Sequence, residues 1–313
     1  MSAKPPTTGT EKGNKVMMWC VPRSISSAFV KCLSAISHTE VWFEPYTFSN
    51  LGRIEYKHHT NEDIPTEYDG NEKAFQKAAT LLEIMAHTKF EPERLPYATV
   101  KRGLEMSASK NVIAKDMGSA LTENYYQFIP DGFKHTFLIR HPLRYILSYR
   151  KAVYKHFSGL GQLTGEAADE KKYDLERDDK FFPPGCCMKE LYDLWQYVRE
   201  NIDSDPIVID ADDLLTKPAE YLKAYCEAVG LPYSESLLEW DASTDSLKSW
   251  KAAGDNLVLD AVNFFGRAMR SSQFSAPSKF PDSDQLTPDV VRCSDRVMKY
   301  YEEMYRHKLV LLK

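Results

Sequence analysis

Nowhere in the 313 residues is there an apolar run approaching the roughly 18 residues that a membrane-spanning helix requires. The opening segment MSAKPPTTGTEKGNK also lacks the hydrophobic stretch of a secretory leader. These absences lead to the expectation of a cytoplasmic protein with no membrane span, in which residues 1–14 are a disordered tail and 15–313 a single domain. Positive charge is not in excess either: 40 Lys and Arg face 45 Asp and Glu, a net charge of −5. No global field exists to hold nucleic acid or an anionic membrane, so any anion must be held by a local site. The six cysteines, at 20, 32, 186, 187, 226 and 293, form no CxxC pair and have no accompanying histidine spacing, which argues against a zinc site or a disulfide framework. They read as reduced thiols, and no metal is expected. The 14 glycines include none in the GxxxxGK[ST] order of a nucleotide-triphosphatase phosphate loop.

With 43% apolar, 12% aromatic and 27% charged residues, the composition is that of an ordinary globular protein. Val16 to Val21 is a short, unbroken apolar run, the pattern of a strand buried on both faces. Behind it, Pro22-Arg23-Ser24-Ile25-Ser26-Ser27 leads to Phe29, Cys32, Leu33 and Ile36 at helical spacing. Similar runs at Val112–Ala114, Phe137–Ile139 and Ile207–Ile209 each precede a polar turn and a helical pattern. Strands alternating with helices predict an α/β fold: a three-layer sandwich around a mainly parallel sheet of about five strands, with a P-loop-like strand-turn-helix. Thr216 is expected to cap a helix that has Pro218 in its first turn and stops at Gly230. Residues 48–70 and the charge-dense run Gly165–Lys180 read as excursions from the core.

Two cationic constellations stand out. The turn carrying Arg23, Ser24, Ser26 and Ser27 lies between a buried strand and a helix N-terminus, where unpaired N–H groups favour an anion; simple helix capping by the serines is the plainer alternative. Arg140 leaves the end of the Phe137–Ile139 strand, and Ser148 follows eight positions later on the next helix. Open α/β sheets bind ligands at that edge. Arg144 and Arg150 read as a solvated basic helix face.

Taken with Ile207–Leu215 and the helix ending Gly230-Leu231-Pro232, these motifs resemble the sulfotransferases that use 3′-phosphoadenosine 5′-phosphosulfate (PAPS), over roughly residues 16–232. The resemblance implies that Arg23, Ser24, Ile25, Ser26 and Ser27 hold the 5′-phosphosulfate, with Arg140 and Ser148 on the 3′-phosphate. Three departures are visible. The Lys-Thr-His of the cytosolic branch is replaced by Lys115-Asp116-Met117, so its histidine base is missing. Ile25 stands in place of a customary glycine. The C-terminal Arg-Lys-Gly is absent, leaving Arg270 or Arg267 as its substitute. Outlying branches use a glutamate after the first helix, which implies Glu44 as the base. Set amid Trp42, Phe43 and Tyr46, that carboxylate would be desolvated, which suits a general base. His58, His59 and His135 remain as alternatives.

On this resemblance the expected reaction is sulfuryl transfer from PAPS to the hydroxyl of a small-molecule acceptor (an alcohol, phenol or sterol-like compound), releasing 3′,5′-adenosine bisphosphate. The catalytic residues would be Glu44, Arg23 and Lys115. The alternatives are a P-loop kinase or nucleotide hydrolase, or a nucleotide-binding protein without turnover. Acceptor identity and oligomeric state stay open.

Overall fold

The Val16–Val21 run is apolar throughout because both of its faces are covered. The computed structural model describes residues 13–254 and 262–311, and in it this run supplies most of strand β1 (Asn14–Cys20). The first twelve residues of the expected tail lie outside the described residues, and the strand starts at Asn14, two residues before the apolar run and within the expected tail. Strand β1 pairs in parallel with β3 (Asn111–Met117) on one side and β4 (Lys134–Ile139) on the other. Beyond these lie β2 (Thr39–Phe43) and β5 (Ile207–Asp210), giving five parallel strands in the order β2-β3-β1-β4-β5.

Alternate β1 side chains enter different layers. Val16, Met18 and Cys20 share a core with Phe29 and Leu33 of α1 (Ser26–Ser34) and with Leu222 and Tyr225 of α9 (Pro218–Val229). Met17 and Trp19 share the other with Tyr145 of α5 (Pro142–Gly159), Trp195 of α7 (Met188–Asn201) and Val297 of α11 (Pro288–Arg306). The predicted sandwich and parallel sheet are present. Among the described residues, no helix is long and apolar enough to cross a membrane. All six cysteines are free.

Four of the strands are the runs that the sequence marks. Strand β2 is the exception, because Glu40 and Trp42 alternate with buried Val41 and Phe43 and no unbroken apolar run results. Its outer edge is covered by a bridge between Trp42 and Lys251. Residues 48–70 are not an excursion: most belong to α2 (Pro45–Thr60), whose Phe48 and Tyr56 enter the core beside α3 (Glu72–Ala86). Next, α4 (Tyr97–Met106) returns the chain to β3. The charged run Gly165–Lys180 is likewise anchored, by fully buried Leu175 in the short helix α6 (Leu175–Asp178) and by Tyr173. Nor is Thr216 a cap. It closes α8 (Ala211–Thr216) by donating its hydroxyl to the Asp212 carbonyl at 2.7 Å, and Lys217 precedes α9 instead.

Arg144 and Arg150 are not a solvated face. Arg144 pairs with Asp212 at 3.1 Å. Arg150 is 3% exposed and donates to Asp289 at 3.0 Å and to the carbonyls of Glu170 and Tyr173 at 2.6 Å each. Asp289, itself buried, also accepts the Leu175 N–H at 3.1 Å, so one ion pair fastens α5, α6 and α11 together. Helical periodicity could not reveal this, because a buried arginine and a surface arginine occupy the same sequence pattern. Asp289→Ala would leave the guanidinium buried without its counter-ion and should cost about 3–5 kcal/mol in urea unfolding. The double variant Arg150→Met with Asp289→Leu should recover most of that loss; equal losses for both would show that the pair is not the fastening element.

Candidate active site

The chain leaves β1 at Cys20 and opens α1 at Ser26, with five residues between. It does so through two residues in the left-handed region, Arg23 (φ 60°) and Ile25 (φ 64°). For a β-branched residue such as Ile25, that conformation costs on the order of 1–3 kcal/mol and persists only where the surroundings impose it. Here, Arg140 donates to the Arg23 carbonyl at 2.8 Å, the Ile25 carbonyl accepts the Phe29 N–H, and the buried Ser24 hydroxyl donates to the Val21 carbonyl at 2.7 Å. Ser26 and Ser27 occupy the first turn of α1, where leading N–H groups have no helix partner and no acidic side chain intervenes.

Cations converge on this turn. Arg23 donates Nε–H to the Ser148 hydroxyl on α5 at 3.0 Å, and a second N–H to the Phe264 carbonyl on α10 (Val262–Met269). Burial, then repulsion from Arg140 and Arg267, holds the Arg23 guanidinium below its usual value. Burial also lowers Arg140; Asp212 opposes this and Arg144 adds to it. That one carboxylate is shared by Arg140 at 3.4 Å and Arg144 at 3.1 Å. The Arg140 Nε is buried with no hydrogen-bond partner among the described residues. The arrangement is an excess of fixed positive charge with a donor still unspent, at the C-terminal ends of β1 and β4. From β1 the chain crosses toward β2 on one side, and from β4 toward β5 on the other, which makes this the crevice where open α/β sheets take ligands.

A cavity of about 410 Å³ opens there. Arg23, Ile25, Ser26, Ser27, Arg140 and Ser148 line it, joined by Glu44 and Lys115. Two expected residues do not. Ser24 lies beneath the turn with its hydroxyl spent on Val21. Arg270 is exposed and outside the wall, while Arg267, one turn earlier on α10, lies in it beside Phe264 and Ala268.

Glu44 follows β2 in a left-handed conformation (φ 54°) and stands directly before α2. The aromatic setting expected for it does not leave the carboxylate alone: it is 2% exposed and bonded to the ammonium of Lys115, itself 1% exposed, on β3. Burial pulls the Lys115 ammonium down, Cys20, Glu44 and Asp116 push it up, and the balance is upward. Its Nζ also lies 4.9 Å from the centroid of the Phe43 ring. The neighbouring Asp116 caps α2 by accepting the N–H groups of Tyr46 at 2.6 Å and Thr47 at 2.9 Å. Burial raises that carboxyl to about 7 against those bonds.

None of the three alternative histidines reaches the cavity. His58 and His59 are exposed at the end of α2, and His135 is buried under Trp19, whose indole N–H it accepts at 3.1 Å. The cavity does contain His156, on α5, lowered from its usual value by burial and then by His87. It was findable, since Ser148, Tyr149, Val153, His156 and Phe157 share one helical face. Asp179 and Phe264 were not, because only folding brings their segments here.

Fold and site together define an α/β protein with an arginine- and serine-lined cavity at the C-terminal edge of a parallel sheet. Among the solved structures that it resembles are sulfotransferases. The sulfotransferase domain from the curacin biosynthetic pathway matches with a TM-score of 0.41 and 12% identity, over 91% of this chain and 98% of that one. Mouse sulfotransferase SULT7A1 complexed with PAP matches at 0.41 and 10%, over 95% and 85%. The sulfotransferase from Alicyclobacillus acidocaldarius matches at 0.39 and 10%, over 83% and 98%. Likeness of this degree carries no argument about the reaction. By sequence, Branched-chain-amino-acid aminotransferase-like protein 2 of Arabidopsis thaliana is 25% identical over 153 residues, 49% of this chain and 21% of that protein. The chain therefore spans about a fifth of the length of that relative, whose name describes the longer protein. A scan against protein-family models finds no match.

The ion pair in the cavity wall has a measurable consequence. Glu44→Gln leaves the Lys115 ammonium buried and uncompensated, and should destabilise the protein by about 3–5 kcal/mol. Adding Lys115→Met should restore much of this in urea unfolding. A Glu44→Gln variant as stable as the parent would mean that the pair is open to water.

Proposed function

We propose that this chain is a sulfotransferase, moving a sulfuryl group from PAPS, as donor substrate, to the hydroxyl of a small-molecule acceptor. The observation that supports the reading is that the Arg23–Ser27 turn and Arg140, with Ser148 and Arg267, line one cavity, and we read them as two adjoining anion subsites. Two subsites suit a nucleotide with an anionic group at each end, and the unpartnered Nε of Arg140 fits an anion oxygen.

In the proposed transfer, a bond forms between the acceptor oxygen and sulfur as the sulfur–oxygen bond to the 5′-phosphate breaks. The acceptor proton passes to the Glu44 carboxylate. Charge left on the phosphate is met by Arg23 and by the hydroxyls and N–H groups of Ser26 and Ser27, already in place before the reaction. Lys115 would turn from Glu44 toward the sulfuryl oxygens, freeing the carboxylate as charge moves. The acceptor would lie against the apolar wall formed by Phe48, Leu51, Phe90, Val153 and Phe265. One observation favours a second reading, a nucleotide binder without turnover: Glu44 is held in an ion pair that a purely structural carboxylate would also make.

Binding and turnover separate these readings. 3′,5′-Adenosine bisphosphate should raise the melting temperature more than ATP or GTP does at equal concentration; equal shifts would remove the two-subsite argument. By titration calorimetry, Arg140→Ala and Arg267→Ala should each weaken that ligand by about 1.5–3 kcal/mol. Arg270→Ala should leave it unchanged. Below its unfolding temperature, Glu44→Gln should keep nucleotide affinity while turnover falls by roughly 10² to 10⁴. Turnover within a few-fold of the parent would shift the search to His156.

A further inference from the structure

One buried carboxylate in the cavity wall has no part in the transfer as proposed. Asp179 is 4% exposed and lines the cavity. One of its oxygens accepts the Phe181 N–H at 3.0 Å, and the other accepts the Tyr149 hydroxyl at 3.0 Å. It makes no ion pair among the described residues, and the adjacent Lys180 is taken up by Glu55 at 2.8 Å. Two neutral donors leave part of a carboxylate's acceptor capacity open. A buried charge is costly unless a counter-ion meets it. Among the buried carboxylates of the described residues, Glu44 has Lys115, Asp289 has Arg150 and Glu55 has Lys180, whereas Asp116, Asp210 and Asp179 are held by neutral donors. Of those three, Asp179 lines the cavity, and it borders the space that an acceptor would fill.

The side chains around it narrow the chemistry. Tyr149, Phe157 and Phe181 line the same cavity, and aromatic faces attract an organic cation where they would give an anion nothing. Tyr149 also follows Ser148, whose hydroxyl meets Arg23, so the helix that borders the anion subsite also holds Asp179 in place. Burial raises the Asp179 carboxyl to about 6, against the Phe181 N–H, the Tyr149 hydroxyl, the Phe182 N–H and the charge of Lys180.

We infer that Asp179 is the counter-ion for a cationic acceptor, so that the hydroxyl to be sulfated belongs to a small aromatic or apolar alcohol or phenol bearing an ammonium group. This rests on the sulfotransferase reading for the word acceptor, but the ammonium site itself is tested by binding alone. The probes are tyramine and its uncharged isostere 4-propylphenol, titrated calorimetrically into the full chain with 3′,5′-adenosine bisphosphate present and absent. Tyramine should bind at least tenfold more tightly than 4-propylphenol. Asp179→Asn should abolish that preference while adenosine bisphosphate affinity stays within twofold. Equal affinities in the parent, no measurable tyramine binding at millimolar concentration, or a preference that survives in Asp179→Asn would each overturn the proposal. Should Asp179→Asn not fold, Tyr149→Phe, which keeps the carboxylate and removes a competing donor, must retain the preference; its loss there overturns the inference equally. Failure of the sulfotransferase reading would appear separately, as no sulfuryl transfer to any acceptor, and would leave the titration result standing.

Discussion

The hydrogen bond from the Arg140 guanidinium to the Arg23 carbonyl, 2.8 Å long, joins the ends of the two strands at the centre of the sheet. Arg140 leaves β4 and Arg23 leaves β1, so the contact fixes the turn after one strand from the residue after the other. It also helps to hold Arg23 and Ile25 in a backbone conformation that neither side chain favours. Start of α1, guanidinium fork and Ser148 all take their places from it. An anion arriving in this crevice meets donors that need not reorganise.

Part of the backbone strain lies at the cavity. Four of the eight described non-glycine residues with positive φ, Arg23, Ile25, Glu44 and Cys187, line it, while His38, Asn61, His87 and Cys186 do not. Each of the four lies where the chain leaves a strand or enters a helix. A left-handed residue there turns the backbone sharply, at a cost that the packed sheet and helices must offset.

Charge is arranged with equal economy. Buried acids and bases meet in specific pairs, Glu44 with Lys115 and Arg150 with Asp289, while Asp212 alone serves both Arg140 and Arg144. The cavity wall around Arg23 and Arg140 is therefore left positive. Asp179, in the same wall, makes no ion pair among the described residues.

Much of this was legible along the chain. The β1 run, the serine-rich turn, Arg140 and Ser148 depend on local signals: an unbroken apolar stretch means a strand covered on both faces, and a polar turn behind it means a helix start near the sheet edge. Parallel topology followed from the alternation of strands and helices. What the tertiary structure alone decided are the contacts between segments far apart in sequence. Glu44 meets Lys115 only because β2 lies beside β3, an edge pairing that the alternation of Glu40 and Trp42 with buried residues conceals. Arg267 rather than Arg270 reaches the cavity because of how α10 is turned on the rest of the fold, and both fit the same local pattern. Whether an arginine is solvated or buried, as with Arg150, depends on a partner that lies 139 positions away, and no local signal in a single sequence records that distance.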